Sequence, residues 1–254
     1  MQADLEKYYA ENASDYDSSH LGETEHEVAL ASLIGLMLHY GFKSLLDVGA
    51  GTGRVIRLAG HRLPGVRIHG IEPSSSLREV GYQNGVSPAD LQDGNALKLP
   101  FAENSWDVVC AFGILHHIPE PDLAIREMCR VAKSAVFFSD LNNYGCGSLA
   151  QRAFSQALRA LGLWKPFQLV KNGGKYEKFS EGDGIHYSYS LFDSLPSIRS
   201  KFPQTYLMNT KGNRNNIFRG CSHVSVFAVG SDDELLERRK AGHSDLKPNA
   251  TIAE

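Results

Sequence analysis

The stretch SLLDVGAGTGRV, residues 44–55, sets three glycines at alternate positions directly behind a short apolar run. Glycine takes positive φ readily and lets another molecule lie against bare backbone. The run SLLDVG (44–49) reads as a buried strand and Arg54 to Arg62 as a helix. A strand ending in an acid and glycines that turns straight into a helix is a nucleotide-type turn. The first N–H groups of such a helix have no partner within it and face the ligand.

The alternation continues. VRIHGIE (66–72) reads as a second strand, SSSLREVGYQ (74–83) as a helix opened by serine caps and ADLQDG (89–94) as a short third strand. WDVVCAFG (106–113) is a fourth strand, PDLAIREMCRVA (121–132) a helix with proline at its start, and SAVFFSDL (134–141) a fifth strand. This order defines an α/β chain built of βαβ units, with a parallel sheet and helices on both faces. An apolar helical pattern from about Glu25 to Tyr40 precedes it. Beyond Asn143 the alternation breaks. SLAQRAFSQALRALGLW (148–164) reads as a helix, LVKNGGKYEKFSEGDG (169–184) as a mobile loop, and YSLFDSLPSIRSKF (189–202) as another helix. Strands follow at 202–210 and 222–231 with no long helix between them, so at least one runs antiparallel to the rest. The organisation expected is a helical lid over residues 1–43, one domain over 44–231 with an insertion at about 143–188, and a polar tail over 232–254.

Composition narrows the classes. The N-terminus is acidic and aromatic with no secretory signal, which points to the cytoplasm. The longest apolar segment, Val28 to Leu38, is too short to span a bilayer, so no membrane partner is expected. Cys110, Cys129, Cys146 and Cys221 lie far apart with no metal-ligand spacing and read as reduced, mostly buried thiols. The net charge of −3 is uneven: Ala150 to Gly220 carries 11 Lys and Arg against 4 Asp and Glu. A basic segment in an otherwise acidic chain indicates either an anionic acceptor or a lysine-rich solvated surface.

Two ligand classes use such a turn. Dinucleotide enzymes carry GxGxxG and rest a pyrophosphate on the helix end. Here the spacing is GxGxG, Gly49, Gly51 and Gly53, and Glu72 ends the second strand, where an acid can accept from both ribose hydroxyls. Both classes use that acid, so glycine spacing alone separates them only weakly. The acid and glycine turn, Glu72, and GNALKLPFAENSWDVVCAFGILHHIPEP together resemble the class I S-adenosylmethionine-dependent methyltransferases, in their small-molecule, type 11-like branch. The resemblance runs from about Tyr8 to Val229 and is strongest from Leu45 to Val131. It implies a Rossmann-like, seven-stranded, mostly parallel sheet whose last strand is antiparallel, with S-adenosyl-L-methionine as cofactor.

Carried over, the resemblance sets Asp47 and Gly49 to Gly53 at the methionine end of the cofactor and Glu72 on the ribose. Pro73 and Ser74 border the adenine, and Phe112 lies close by. The family usually has Gly-Asp-Ala where this chain has Gly94-Asn95-Ala96. The Asn95 carbonyl can replace that aspartate as acceptor from the adenine amino group, with Asp93 as a substitute. The family's Lys-Pro-Gly-Gly turn before strand five is also missing, which shortens a turn far from the site.

Methyl transfer from a sulfonium is an in-line displacement that a protein promotes by alignment and by excluding water. A hydroxyl acceptor also needs its proton removed. His116 and His117 follow strand four at the edge where ligands bind in such sheets, and Asp140 ends strand five at the same edge. In the sugar and natural-product O-methyltransferases that this chain resembles, these positions flank the acceptor hydroxyl. The alternative is a histidine that merely packs the next helix. His186, Tyr187 and Tyr189 either close over the acceptor or form a helix entry. Tyr8, Tyr9 and Tyr16 suit a lid, and Phe154, Trp164 and Phe167 read as core. Three functions stand: O-methylation of a small molecule, methylation of nucleic acid or protein, and cofactor binding without catalysis. No Asn-Pro-Pro-Tyr/Phe motif and no RNA-binding module favours nucleic acid, so the small molecule leads.

Overall fold

A computed structural model of the chain describes residues 8–13, 24–180, 184–212 and 216–230. Tyr16 and the polar tail at 232–254 lie outside the described residues. Residues 8–13 are helical. Helix α1 (Thr24–Tyr40) precedes β1 (Ser44–Val48), α2 (Arg54–Arg62), β2 (Arg67–Ile71), α3 (Ser75–Gln83) and β3 (Leu91–Gln92). Then come β4 (Trp106–Phe112), α4 (Pro121–Val131) and β5 (Ala132–Leu141). The sheet is completed by β8 (Gln204–Lys211) and β9 (His223–Val229). Its order is β3-β2-β1-β4-β5-β9-β8. The first five strands pair in parallel, and β9 is antiparallel to both β5 and β8, so the last strand alone is reversed.

Alternation along the strands makes two cores. Val109, Val136 and Phe138 face α4, while their neighbours Val108, Cys110 and Phe137 face α1 and α2. Helices thus cover both faces, and every central strand is buried on both sides, as parallel strands are. From β1 the chain winds to β2 and β3 on one side, then returns to β4 and β5 on the other. The C-terminal ends of β1 and β4 are therefore a topological switch point, where sheets of this kind open a crevice.

At the opposite edge, α4 passes into β5 with no glycine turn, as the missing Lys-Pro-Gly-Gly implies. The Lys201 ammonium caps this junction by donating to the carbonyls of Cys129 and Ala132, both at 2.7 Å.

The insertion departs from the sequence reading in three places. The helix expected over 148–164 is two, α5 (Leu149–Ala160) and α6 (Trp164–Lys171), broken at Gly162 with φ 70°. The loop expected over 169–184 holds the end of α6 and β6 (Lys178–Ser180), which pairs antiparallel with β7 (Gly184–His186). The helix expected over 189–202 shrinks to a 3-10 turn at Leu191–Ser194 and α7 (Leu195–Arg199), since Pro196 tolerates only the first turn of a helix. Asn142 anchors the insertion. Its fully buried side-chain amide donates to the carbonyls of Cys221 (2.8 Å) and Phe218 (2.9 Å), the latter in the short helix α8 (Ile217–Gly220). Its side-chain oxygen accepts from the N–H of Tyr144 and the hydroxyl of Ser190.

Candidate functional site

The glycine turn occupies the switch point. Gly49, Gly51 and Gly53 have φ of 73°, 54° and 75°, a region L side chains avoid. The sequence reading gives these glycines to a ligand, but the structure gives two of them to the protein. A Cβ on Gly49 would fall 2.5 Å from Ile114 Cγ2, and one on Gly53 2.9 Å from Val86 Cγ2. Gly53 is the N-cap of α2 and brings no side chain to the N–H groups of its first turn.

Two buried acids flank the turn. Glu72 accepts from Gly51 N–H at 2.9 Å through Oε2 and from Ser74 N–H at 2.8 Å through Oε1. These two bonds fix the orientation of the carboxylate. Burial pushes the Asp47 carboxyl up to about 7; the Cys110 thiol 3.5 Å away opposes this and the charge of Glu72 adds to it. Ser74 caps α3 by accepting from Leu77 N–H. Pro73 is exposed beside it. Asn95 is exposed, and its Oδ1 accepts from Leu97 N–H at 2.8 Å, so one of its two lone pairs is committed to its own turn. Asp93 pairs with Arg78 at 2.9 Å. Ala96 packs on the core beside the turn, and Phe112 lies at the tip of β4, 5.7 Å from the Phe137 ring.

The second half of the site follows β4. Ile114 packs over Gly49 and leads into a 3-10 turn, Leu115–His117, which carries His116 and His117. Asp140 holds this turn from β5. Its Oδ2 accepts from Leu115 N–H at 2.8 Å, and its Oδ1 lies 2.7 Å from His116 Nδ1. Burial opposes ionisation of Asp140, yet the His116 ring and the N–H groups of Leu141 and Leu115 outweigh it and hold the carboxyl below its ordinary range. A carboxylate only accepts, so Nδ1 of His116 carries the proton and Nε2 is the basic nitrogen. His117 Nδ1 lies 2.7 Å from the carbonyl of Ile185, which fixes the same tautomer. The His116 carbonyl accepts from Tyr187 N–H at 2.7 Å, tying the insertion to the pair. Tyr187 and Tyr189 are buried, whereas His186 is half-buried on β7. Tyr8 packs over Gly184 and its ring lies 6.1 Å from Phe179, so Tyr8 lies on the β6–β7 pair.

Two further histidines reach this edge unannounced. A Cβ on Gly113 would fall 3.1 Å from His26 Cε1, and the His26 and His223 rings are 6.4 Å apart. Burial drives His26 down to about 4, and the neighbouring His223 adds to this, so His26 is neutral at neutral pH. Nothing separates His26 in the sequence from a surface histidine at a helix start; only the fold carries α1 over β4.

Residues 46–139 match the family described as "Methyltransferase domain". Phosphatidylethanolamine N-methyltransferase of Cereibacter sphaeroides is 33% identical over 136 residues, 50% of this chain and 66% of that protein. Demethylmenaquinone methyltransferase of Geobacillus stearothermophilus is 37% identical over 97 residues, 36% of this chain and 41% of that protein. The chain thus spans less than two thirds of the length of either relative. The structure of magnesium protoporphyrin IX methyltransferase from Synechocystis PCC 6803 with bound SAH is similar in fold, with a TM-score of 0.59 at 13% identity, covering 91% of this chain and 100% of that one. Residues 46–139 are a methyltransferase domain in a Rossmann-like methyltransferase fold, with S-adenosylmethionine as cofactor. The residues fit that cofactor: an uncapped helix end, a glycine turn and an oriented acid converge on one crevice.

Proposed function

We propose that this domain methylates a hydroxyl group of a small molecule, a sugar or biosynthetic intermediate. The observation that carries the reading is the His116–Asp140 pair, 2.7 Å apart on the turn that follows Ile114, the residue packed over Gly49. S-adenosylmethionine supplies a methyl carbon activated on a sulfonium. Asp47 and the Gly49–Gly53 turn hold its methionine end, Glu72 accepts from the ribose, and Pro73, Asn95 and Ala96 border the adenine. Phe112 lines the crevice. His116 takes the acceptor's proton at Nε2, and Asp140 stabilises the imidazolium that results. His117 lies against the acceptor from the same turn. Of the lid expected over residues 1–43, α1 instead packs on the sheet, which leaves the role to the segment before it, and the insertion at about 143–188 forms the acceptor side. The basic balance of that insertion suits an anionic acceptor.

The test is transfer of labelled methyl to a panel of hydroxylated compounds matched with amine analogues. Turnover on hydroxyl acceptors that depends on His116 supports the reading. Turnover on amines alone sinks it and moves the domain toward the N-methylating chemistry named for the Cereibacter relative.

A further inference from the structure

Phe154, Trp164 and Phe167 are not core. Helices α5 and α6 pack on each other through the Phe154 and Phe167 rings, 5.4 Å apart, and turn the usual amphipathic pattern inside out. On α5 the buried residues, Arg152 and Ser155, are polar. Buried Arg152 donates to the Arg219 carbonyl at 2.8 Å, Arg159 pairs with Asp193 at 3.0 Å, and Gln156 donates to the Tyr144 carbonyl. On α6 the most buried residue is Gln168, 1% exposed. The outward residues are apolar: Leu149 is 75% exposed, Phe154 53%, Leu161 70% and Val170 84%. Alanines 150, 153, 157 and 160 complete the outer stripe of α5.

A surface helix ordinarily buries its apolar side, so an outward apolar stripe held in place by inward polar bonds marks a contact face. Charge identifies the partner. Residues 149–176 contain no Asp or Glu, and Lys165, Lys171 and Lys175 are exposed among the apolar residues, in a chain of net charge −3. Exposed leucines, valine and phenylalanine flanked by lysines are the composition of helices that lie in a membrane interface. A second copy would set this lysine-bearing stripe against itself with no carboxylate in the segment to pair, which like charges disfavour.

We infer that α5 and α6 form a docking face for an anionic lipid bilayer, laid flat in the headgroup region. No helix among the described residues is long and apolar enough to cross a membrane, and a face that lies on the surface needs none. The absence of a spanning segment, from which the sequence reading excludes a membrane partner, therefore does not bear on this contact.

Flotation of the full chain with vesicles tests the inference without any turnover, so it stands or falls apart from the proposed methylation. The chain should float with vesicles of phosphatidylcholine and phosphatidylglycerol and do so weakly with phosphatidylcholine alone. A basic residue near an anionic surface contributes roughly fivefold to partitioning. Lys165→Glu with Lys171→Glu should therefore lower binding more than tenfold, and added salt should act the same way. Leu161→Ser with Val170→Ser should also lower it at least tenfold with an unchanged circular dichroism spectrum and thermal midpoint. No flotation with the anionic vesicles, or flotation indifferent to both variants, overturns the inference. A sedimenting dimer broken by the serine variant without vesicle binding also overturns it and gives the face to a second copy.

Discussion

Nδ1 of His116 and Oδ1 of Asp140 lie 2.7 Å apart at the tips of adjacent elements, and Asp140 also holds the turn that carries the histidine. One carboxylate thus fixes the position of the ring and which nitrogen is basic.

His116→Ala should lower turnover by about 10²–10⁴-fold, the usual contribution of a general base, with cofactor affinity nearly unchanged. Only neutral imidazole accepts a proton, so the wild-type rate should rise with pH through one ionisation that the variant lacks. Asp140 stays ionised throughout that range because its carboxyl is held low. Asp140→Asn should move the rising limb to lower pH, since the lost carboxylate no longer stabilises the imidazolium. Rate profiles of the three proteins decide this, and a limb that survives His116→Ala assigns the base elsewhere.

Glu72→Gln should weaken S-adenosylmethionine binding by more than tenfold in calorimetry. Hydrogen bonds to a charged acceptor contribute roughly 1.5–3 kcal/mol each. The amide also turns a donor toward one of the two N–H groups that Glu72 now receives, from Gly51 and Ser74. The thermal midpoint of the cofactor-free protein should fall as well. Unchanged affinity would remove Glu72 from the site.

The Asp47 carboxyl predicts a dependence of stability on pH. Its folded value of about 7 lies above the unfolded value of 3.8, so over that range the native state binds more protons than the unfolded one. Stability from this group is therefore lost as pH rises from about 4 to about 7 and stays low above. In the cofactor-free protein, Asp47→Asn should raise the thermal midpoint at pH 8 and change it little at pH 4. An equal gain at both pH values would show that Asp47 is ionised in the fold.

Gly49→Ala should destabilise the protein by about 1–3 kcal/mol, from positive φ and from overlap with Ile114. Adding Ile114→Ala should recover part of the Gly49→Ala loss, because it clears the overlap and leaves only the backbone strain. A double variant with strictly additive losses in denaturant titration would separate the two residues.

The βαβ order was legible because periodicity and caps are local: the expected helix at Arg54–Arg62 and the Ser74 cap of α3 match the structure. The glycine turn behind β1 was legible, since a turn that demands positive φ writes itself in residue type. His26 was not legible, because α1 reaches the β4 tip only through packing across the sheet. The outward face of α5 was misread for a related reason. Periodicity reports that a helix has an apolar side but is silent on which way that side turns, and here Arg152 and Gln168 find their partners within the fold.

The anchoring by Asn142 sets a rule for building chimaeras. Its partners are Tyr144 in the insertion, Ser190 just past it, and Phe218 and Cys221 just before β9. Gly145 is fitted so closely to Cys221 that a Cβ there would overlap the Cys221 carbonyl. A transplant from another domain that replaces the insertion and Ser190 alone would leave Asn142 half-partnered in a dry interior. The transferable cassette is two pieces of chain, the insertion together with the segment leading into β9, and acceptor preference should move between scaffolds only when both travel.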